Sequence, residues 1–303
     1  VKFNAGHPDD SIVTAIDTAL KGKSILSGST SGTLSLVDLD CPEISQTLAK
    51  TESGVGIRFV CVLGDDVRFV FVDEANRIEL RTFDNIGTGI ELGQPDARVT
   101  CITAPGSNYI LLGCDDGKLL WFYLNNTSPC EFHAHSEAIS QVGGDLEGPL
   151  CRFVSGSISG SVKLWKVEKN LSMLMWSHDN IYSAPITALV FVPRSNDIII
   201  GYNGEVKKIN ANGVVGTYNG DVFRERVETI RVLKNSVFGA FYDTQGIDNG
   251  VKGIIKVWKL RLHTRGIKLW RLHEDEREVN ITSTEKVVLR VNNSCGVVAV
   301  LGK

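Results

Sequence analysis

This 303-residue sequence lacks the common catalytic signatures. G-x-S-x-G, the phosphate loop G-x-x-x-x-G-K and H-E-x-x-H are all absent. The Gly-Lys pairs at 22–23 and 117–118 have no upstream glycine, and "GTGIELG" (87–93) is one residue too long for G-x-G-x-x-G. No apolar run reaches the roughly 18 residues that a bilayer span needs. The opening "VKFNAGHPDD" has neither the apolar core of a signal peptide nor an initiator methionine, so a fragment of an intracellular protein is expected, nuclear or cytoplasmic. Paired cysteines are missing too. Seven stand singly, at 41, 61, 101, 114, 130, 151 and 295, which predicts reduced, mostly buried thiols rather than a disulfide framework. Without a secretory signal, triplets such as Asn280-Ile281-Thr282 carry no glycosylation signal. The net charge of -3 gives no global field for nucleic acid or anionic lipid. Apolar residues at helical spacing are absent over any long stretch, which leaves helices without support.

What the sequence does have is a repeat. "LSGSTSGTLSLVDL" (26–39), "FVDEANRIELRTF" (71–83), "LLGCDDGKLLWFYL" (111–124), "FVSGSISGSVKLWKV" (153–167), "IIGYNGEVKKIN" (199–210) and "KGIIKVWKL" (252–260) share a plan: strand, small-residue turn, strand. Their turn anchors are Gly32, Asn76, Gly117, Gly160, Gly204 and Gly253, spaced 44, 41, 43, 44 and 49 apart. A seventh copy, 285–303, is anchored at Gly296. Apolar and polar residues alternate in each copy, which gives a strand two faces. Proline falls between copies, at 42, 95, 129, 149 and 185. One copy alone would expose an apolar face; radial stacking of neighbours buries it.

On these residues the chain resembles the WD-repeat family over nearly its whole length. The matching features are Ser155-Gly156-Ser157 before the turn, Trp165 and Trp258 (with Trp270) in third strands, and a loop histidine in "FNAGH" (3–7) and "EFHAH" (131–135). The Trp-Asp pair is replaced: Lys166 follows Trp165 and Lys259 follows Trp258. In copy four, His135, Ser155 or Ser157, and Trp165 match the family's hydrogen-bonded set, with Ser159 near the place of the turn aspartate. The resemblance implies an all-β, seven-bladed β-propeller of four-stranded antiparallel blades over 1–303. It implies that "VKFNAG" (1–6) closes the last blade as its outer strand. That blade is then incomplete, with strands at 286–291 and 296–301, and is expected to be finished by residues past 303 or by a strand from a partner. In "KGIIKVWKLRLHTRGIKLWRLH" (252–273), a hairpin is expected between 254–262 and 266–272.

No cofactor or metal is implied. Cys130 lies on the opposite strand face from His133 and His135, and Asp115-Asp116 reads as a turn. Inner-strand stretches "VTAID" (13–17), "FVCVLG" (59–64), "VTCITA" (99–104) and "ITALVF" (186–191) bring no converging catalytic groups to a central channel. The expectation is therefore a non-catalytic scaffold of a multiprotein complex, not an enzyme. It would bind partner peptides through the end of the ring where inter-blade loops and second-to-third-strand turns converge. That rim is expected to carry Arg98, His135, His178, Asp179, Tyr182, Phe223, Arg224 and Tyr242, crowned by the long loop 242–253. A basic segment of Lys252, Lys256, Lys259, Arg261, Arg265, Lys268 and Arg271, without an acid among them, offers an alternative: an RNA-binding propeller of ribosome assembly. Trp258-Lys259-Leu260-Arg261 is similar to the W-D-x-R box of cullin ubiquitin ligase substrate receptors, a further alternative. Phe223-Arg224-Glu225-Arg226 departs from the F-R-R-G of phosphoinositide-binding propellers, because Glu225 opposes phosphate.

Overall fold

The alternation of the repeats becomes a set of meanders. The structure, a computed structural model, describes residues 7, 11–41, 44–51, 54–85, 87–125, 129–147, 151–168, 171–179, 182–192, 196–202 and 205–216 in full, and seven later strands through their main chain.

Strands β1 (Val13–Ala19), β2 (Ser24–Ser29), β3 (Thr33–Asp38) and β4 (Ser45–Lys50) pair in that order, antiparallel throughout. The same order holds for β5 (Ile57–Val62), β6 (Arg68–Asp73), β7 (Ile78–Thr82) and β8 (Ile90–Gly93). It holds again for β9 (Val99–Thr103), β10 (Tyr109–Cys114), β11 (Lys118–Tyr123) and β12 (Cys130–His133), and for β13 (Ile139–Asp145), β14 (Arg152–Ser157), β15 (Val162–Glu168) and β16 (Leu171–His178). The fifth sheet holds β17 (Ile186–Val192), β18 (Asp197–Tyr202) and β19 (Glu205–Ile209), extended by a bridge between Ile209 and Val215. The sixth holds β20 (Arg226–Leu233), β21 (Ser236–Asp243), β22 (Lys252–His263), β23 (Gly266–Arg271) and β24 (Arg277–Asn280). The last holds β25 (Lys286–Val291) and β26 (Val297–Gly302).

The first strand of each sheet lies beside the first strand of the next, from β1 through β5, β9, β13, β17, β20 and β25, and β25 returns to β1. That cycle closes, so the sheets radiate from a common centre as propeller blades. The core lies between blades. Val70, Ile78 and Leu80 of the second blade pack with Ile110, Leu112 and Leu120 of the third. Leu111, Trp121 and Phe132 of the third pack with Phe153 and Trp165 of the fourth. Val154 and Leu164 of the fourth pack with Ile186, Leu189 and Ile200 of the fifth.

Four anchors occupy the turn between second and third strands with positive φ: Gly32 at 75°, Asn76 at 68°, Gly117 at 81° and Gly160 at 84°. Gly117 could not take a side chain there, because a Cβ would sit 2.1 Å from the carbonyl oxygen of His135. Gly204 and Gly296 lie outside the described residues. Gly253 lies within β22, opposite Val279, and not in a turn. The expected hairpin is present as β22–β23, with Arg261 opposite Lys268. Four strands per blade is not uniform among the described residues. β22 is twelve residues long, enough to pair with β24 through its first half and with β23 through its second. The expected closing strand, 1–6, and the loop tip, 244–251, lie outside the described residues. The cysteines are less buried than expected: Cys101 and Cys114 are buried, Cys61, Cys130 and Cys151 are half-buried, and Cys41 is exposed. Burial pushes the Cys101 and Cys114 thiols up to about 12, which keeps them unreactive.

A second use of glycine sets the blade spacing. A Cβ on Gly113 would lie 2.5 Å from Cγ2 of Ile139, the residue that opens the next blade, and 2.7 Å from Cys101 Sγ. Gly113→Ala is expected to cost about 1–3 kcal/mol, the range for overpacking a filled interior. A denaturant titration with an unchanged midpoint would show that this seam yields freely.

Candidate functional site

In a four-stranded meander, the connection between blades and the turn between second and third strands share one end. The site is built there, and a repeated irregularity shapes it. The first strand of each of six blades carries a register shift at its start, which leaves one residue bulged: Thr14, Arg58, Thr100, Ser140, Thr187 and Glu228. At three of these positions a hydroxyl ties blades together, while Thr187 bonds the Gly201 carbonyl of its own blade. Thr14 donates to the carbonyls of Gly28 and, in the next blade, Ile57. Thr100 bonds those of Gly113 and Ile139. Ser140 bonds Gly156 at 3.2 Å and Ile186 at 2.7 Å.

The second and sixth blades depart from this rule, with Arg58 and Glu228; of the two, Arg58 is the one whose side chain is described. Its side chain lines an open cleft of about 640 Å³ together with Glu74, Asn76, Gln94, Asp96 and Arg98. Arg58 Nη2 donates to Asn76 Oδ1 at 2.7 Å, and its Nη1 stands 4.0 Å from Glu74 Oε2. Arg98 Nη2 approaches the same Glu74 oxygen at 3.5 Å. Two guanidinium groups thus share one carboxylate at long range. Burial, then the Arg98 charge, pulls the Arg58 guanidinium down, against the opposing pull of Glu74, Asp73 and Asp115. Arg58 Nε is buried without a hydrogen-bond partner among the described residues. Asn76 fixes the floor. Its Nδ2 donates to the carbonyls of Pro95 and Ala97 at 2.6 and 2.8 Å, and its Oδ1 also accepts the Val99 N–H at 2.9 Å.

The residues expected at this end divide by burial. Arg98 is exposed, 63% for its side chain, and belongs to the cleft. Asp179 is exposed, accepts from the Ser177 hydroxyl at 2.9 Å and lies 3.7 Å from Lys163 Nζ. His178 is half-buried, in contact with the Gly213 carbonyl at 2.6 Å and edge-on to Trp176. Tyr182 is half-buried against Tyr202, ring centroids 4.3 Å apart, and burial pushes its phenol up to about 12. His135 faces inward. It is 6% exposed, its Nε2 lies 2.7 Å from Ser155 Oγ, and Ser155 Oγ also accepts the Trp165 indole N–H at 3.0 Å. His135 is thus part of the blade's internal network, with Ser155 rather than Ser157 as its centre. Ser157, Ser159 and Ser161 form a separate hydroxyl chain through the turn.

Phe223, Arg224 and Arg265 lie outside the described residues. Tyr242 lies on β21, opposite Ile255. Lys252, Lys256, Lys259 and Arg261 lie along β22, and Lys268 and Arg271 along β23, with Arg271 opposite Trp258. Sequence reasoning missed Arg58. The available signal was its position: "VTAID", "VTCIT", "ISQVG" and "ITALV" all carry a hydroxyl second, whereas "IRFVC" does not.

No family model matches the sequence, and no curated protein matches it. Solved structures do. The crystal structure of the WD40 β-propeller domain of Doa1 superposes with a TM-score of 0.72 at 14% identity, covering 98% of this chain and 91% of that one. A chain in the crystal structure of the mitotic checkpoint complex also gives a TM-score of 0.72, at 12% identity, over 99% of this chain and 92% of that one. At these identities the likeness is one of fold, and the fold is that of the WD40 β-propellers.

Proposed function

We propose that the chain, as one propeller unit over 1–303, is a non-catalytic scaffold that binds a partner peptide at the rim, with the cleft between the second and third blades as its anchor. The observation that carries this reading is Arg58. At a position where the first, third and fourth blades use a hydroxyl to close the seam, the second blade spends a long cation on the wall of an open cleft. Rigid display is the mechanism. The ring holds the cleft before binding, so little ordering is lost when a peptide docks. A similar fold inside a multiprotein complex supports the same reading.

The test is peptide capture by Arg98→Glu and Arg58→Gln variants. Arg98 is exposed, so its replacement should shift stability by no more than about 0.5 kcal/mol. Affinity for captured peptides should fall roughly tenfold or more for each variant, as expected when one charged contact is lost or reversed. Undiminished capture by both variants, with melting unchanged, would move the binding site off this cleft.

A further inference from the structure

The outer strand of the fourth blade, β16, is unlike the other outer strands. Its sequence, "LSMLMWSH", contains no Asp, Glu, Lys or Arg, whereas β4 carries Lys50, β8 carries Glu91 and β12 carries Glu131. It is eight residues long against six, four and four for those strands. Both methionines of the chain stand in it. Leu171, Met173, Leu174 and Met175 are 69%, 52%, 51% and 42% exposed. They make up four of the ten exposed large apolar residues among those described, so the exposure is clustered and not scattered.

The geometry puts apolar groups on both faces of this edge. Leu171 and Met173 stand opposite Glu168 and Lys166, whose charges pair with each other. Leu174 stands opposite Trp165, on the other face, and a register shift leaves Met175 as the extra residue. The far end is fixed by the neighbouring blade. Trp176 Nε1 donates to the Ala211 carbonyl at 3.2 Å, and His178 meets the Gly213 carbonyl. The strand is therefore anchored at one end, and no strand pairs with its outer edge among the described residues.

Edge strands are normally blunted by charge, proline or shortness, because an open edge is a pairing template. β16 has none of these; its one irregularity is the bulge at Met175. We propose that β16 is a docking edge that accepts an uncharged, extended apolar segment of a partner protein as a fifth strand. The area argues for a strand and against a second copy. The four exposed side chains offer on the order of 400 Å² of apolar surface, a functional-patch size but about half of what each partner brings to a stable interface. Added main-chain hydrogen bonds supply the rest when the occupant is an extended segment, over the roughly 26 Å that eight residues span. Charged residues in that segment would lose water against Leu171, Met173 and Leu174, and the nearest charges, Lys166 and Glu168, already pair with each other. Methionine suits such an edge, since its unbranched side chain adapts to different neighbours.

A phage library of random octapeptides, panned on the intact chain, tests this. Enriched peptides are expected to be uncharged, with apolar residues at alternate positions. They should lose roughly tenfold or more in affinity on Met173→Lys combined with Met175→Lys, and lose binding when alternate peptide amides are N-methylated. Amide hydrogen exchange at 171–178 should slow in the complex. Both lysine positions are exposed, so the melting temperature of the variant should match the parent and a folding failure would be visible. Peptides unaffected by these substitutions, or no enrichment, would overturn the proposal. A concentration-dependent dimer that the lysine substitutions abolish would also overturn it, in favour of a second copy as the occupant.

Discussion

Replacing Trp165 with alanine is expected to lower unfolding free energy by about 3–5 kcal/mol, the range for truncating a large buried aromatic. Trp165 is 6% exposed and packs edge-on against Phe132 at 4.9 Å and parallel to Phe153 at 6.1 Å. It is the point where the third and fourth blades meet. Its indole N–H also holds Ser155, which in turn holds His135. Truncation therefore opens a void between blades and leaves a buried hydroxyl short of one donor. Trp165→Phe separates the two effects. It keeps most of the ring, loses the N–H, and is expected to cost about 1–2 kcal/mol through the hydrogen bond alone. Urea titrations of both variants measure this. An unchanged midpoint for Trp165→Ala would place the residue outside the load path between blades.

Acid is expected to weaken the ring before the carboxylates titrate. Burial, with the Lys163 charge adding and Asp179 opposing, pulls His135 down from 6.5 to about 4. Burial does the same to His7, which bonds Ser27 Oγ at 2.8 Å in the first blade. For either imidazole the unfolded chain binds the proton more readily than the folded one. The stability contributed by keeping it neutral is thus complete above pH 6.5 and is lost as pH falls from 6.5 towards 4. For His135 alone the loss amounts to about 2 kcal/mol at pH 5 and about 3 kcal/mol once both states are protonated. Unfolding midpoints at pH 7.5, 6 and 5 read this directly. His135→Gln keeps a polar partner for Ser155 and should flatten the slope over that window. A slope identical to the parent would mean that His135 is protonated without cost.

The propeller was legible in the sequence because each blade repeats the same local requirements. A positive φ is needed at one turn position, and Gly32, Gly117 and Gly160 supply it. Asn76 supplies it as the non-glycine residue best suited to that region. The indole of Trp165 needs a buried acceptor, and Ser155 was among the two candidates the spacing allowed. The sixth copy was misaligned at Gly253 because the connection before it is longer, and a period counted in residues cannot sense a loop. The rim was harder to read. Placing a residue in an inter-blade loop fixes the end of the ring it occupies but not its depth, so His135 and Arg98 looked alike in sequence. The first is buried in the blade and the second stands in water. Arg58 escaped because it departs from a pattern of hydroxyls in the first, third, fourth and fifth blades, whose role became visible only once the carbonyls they meet were seen.

That departure at Arg58 has a mechanical meaning. At three seams a short hydroxyl grips the neighbouring blade directly, through a single hydrogen bond to its first strand. Between the second and third blades the grip passes through a lever: Arg58 to Asn76, and Asn76 to Pro95, Ala97 and Val99. One end of that lever stands in an open cleft. A group docked there would bear on Arg58 and through it on Asn76, so this is the described seam that a ligand in the cleft could pull on.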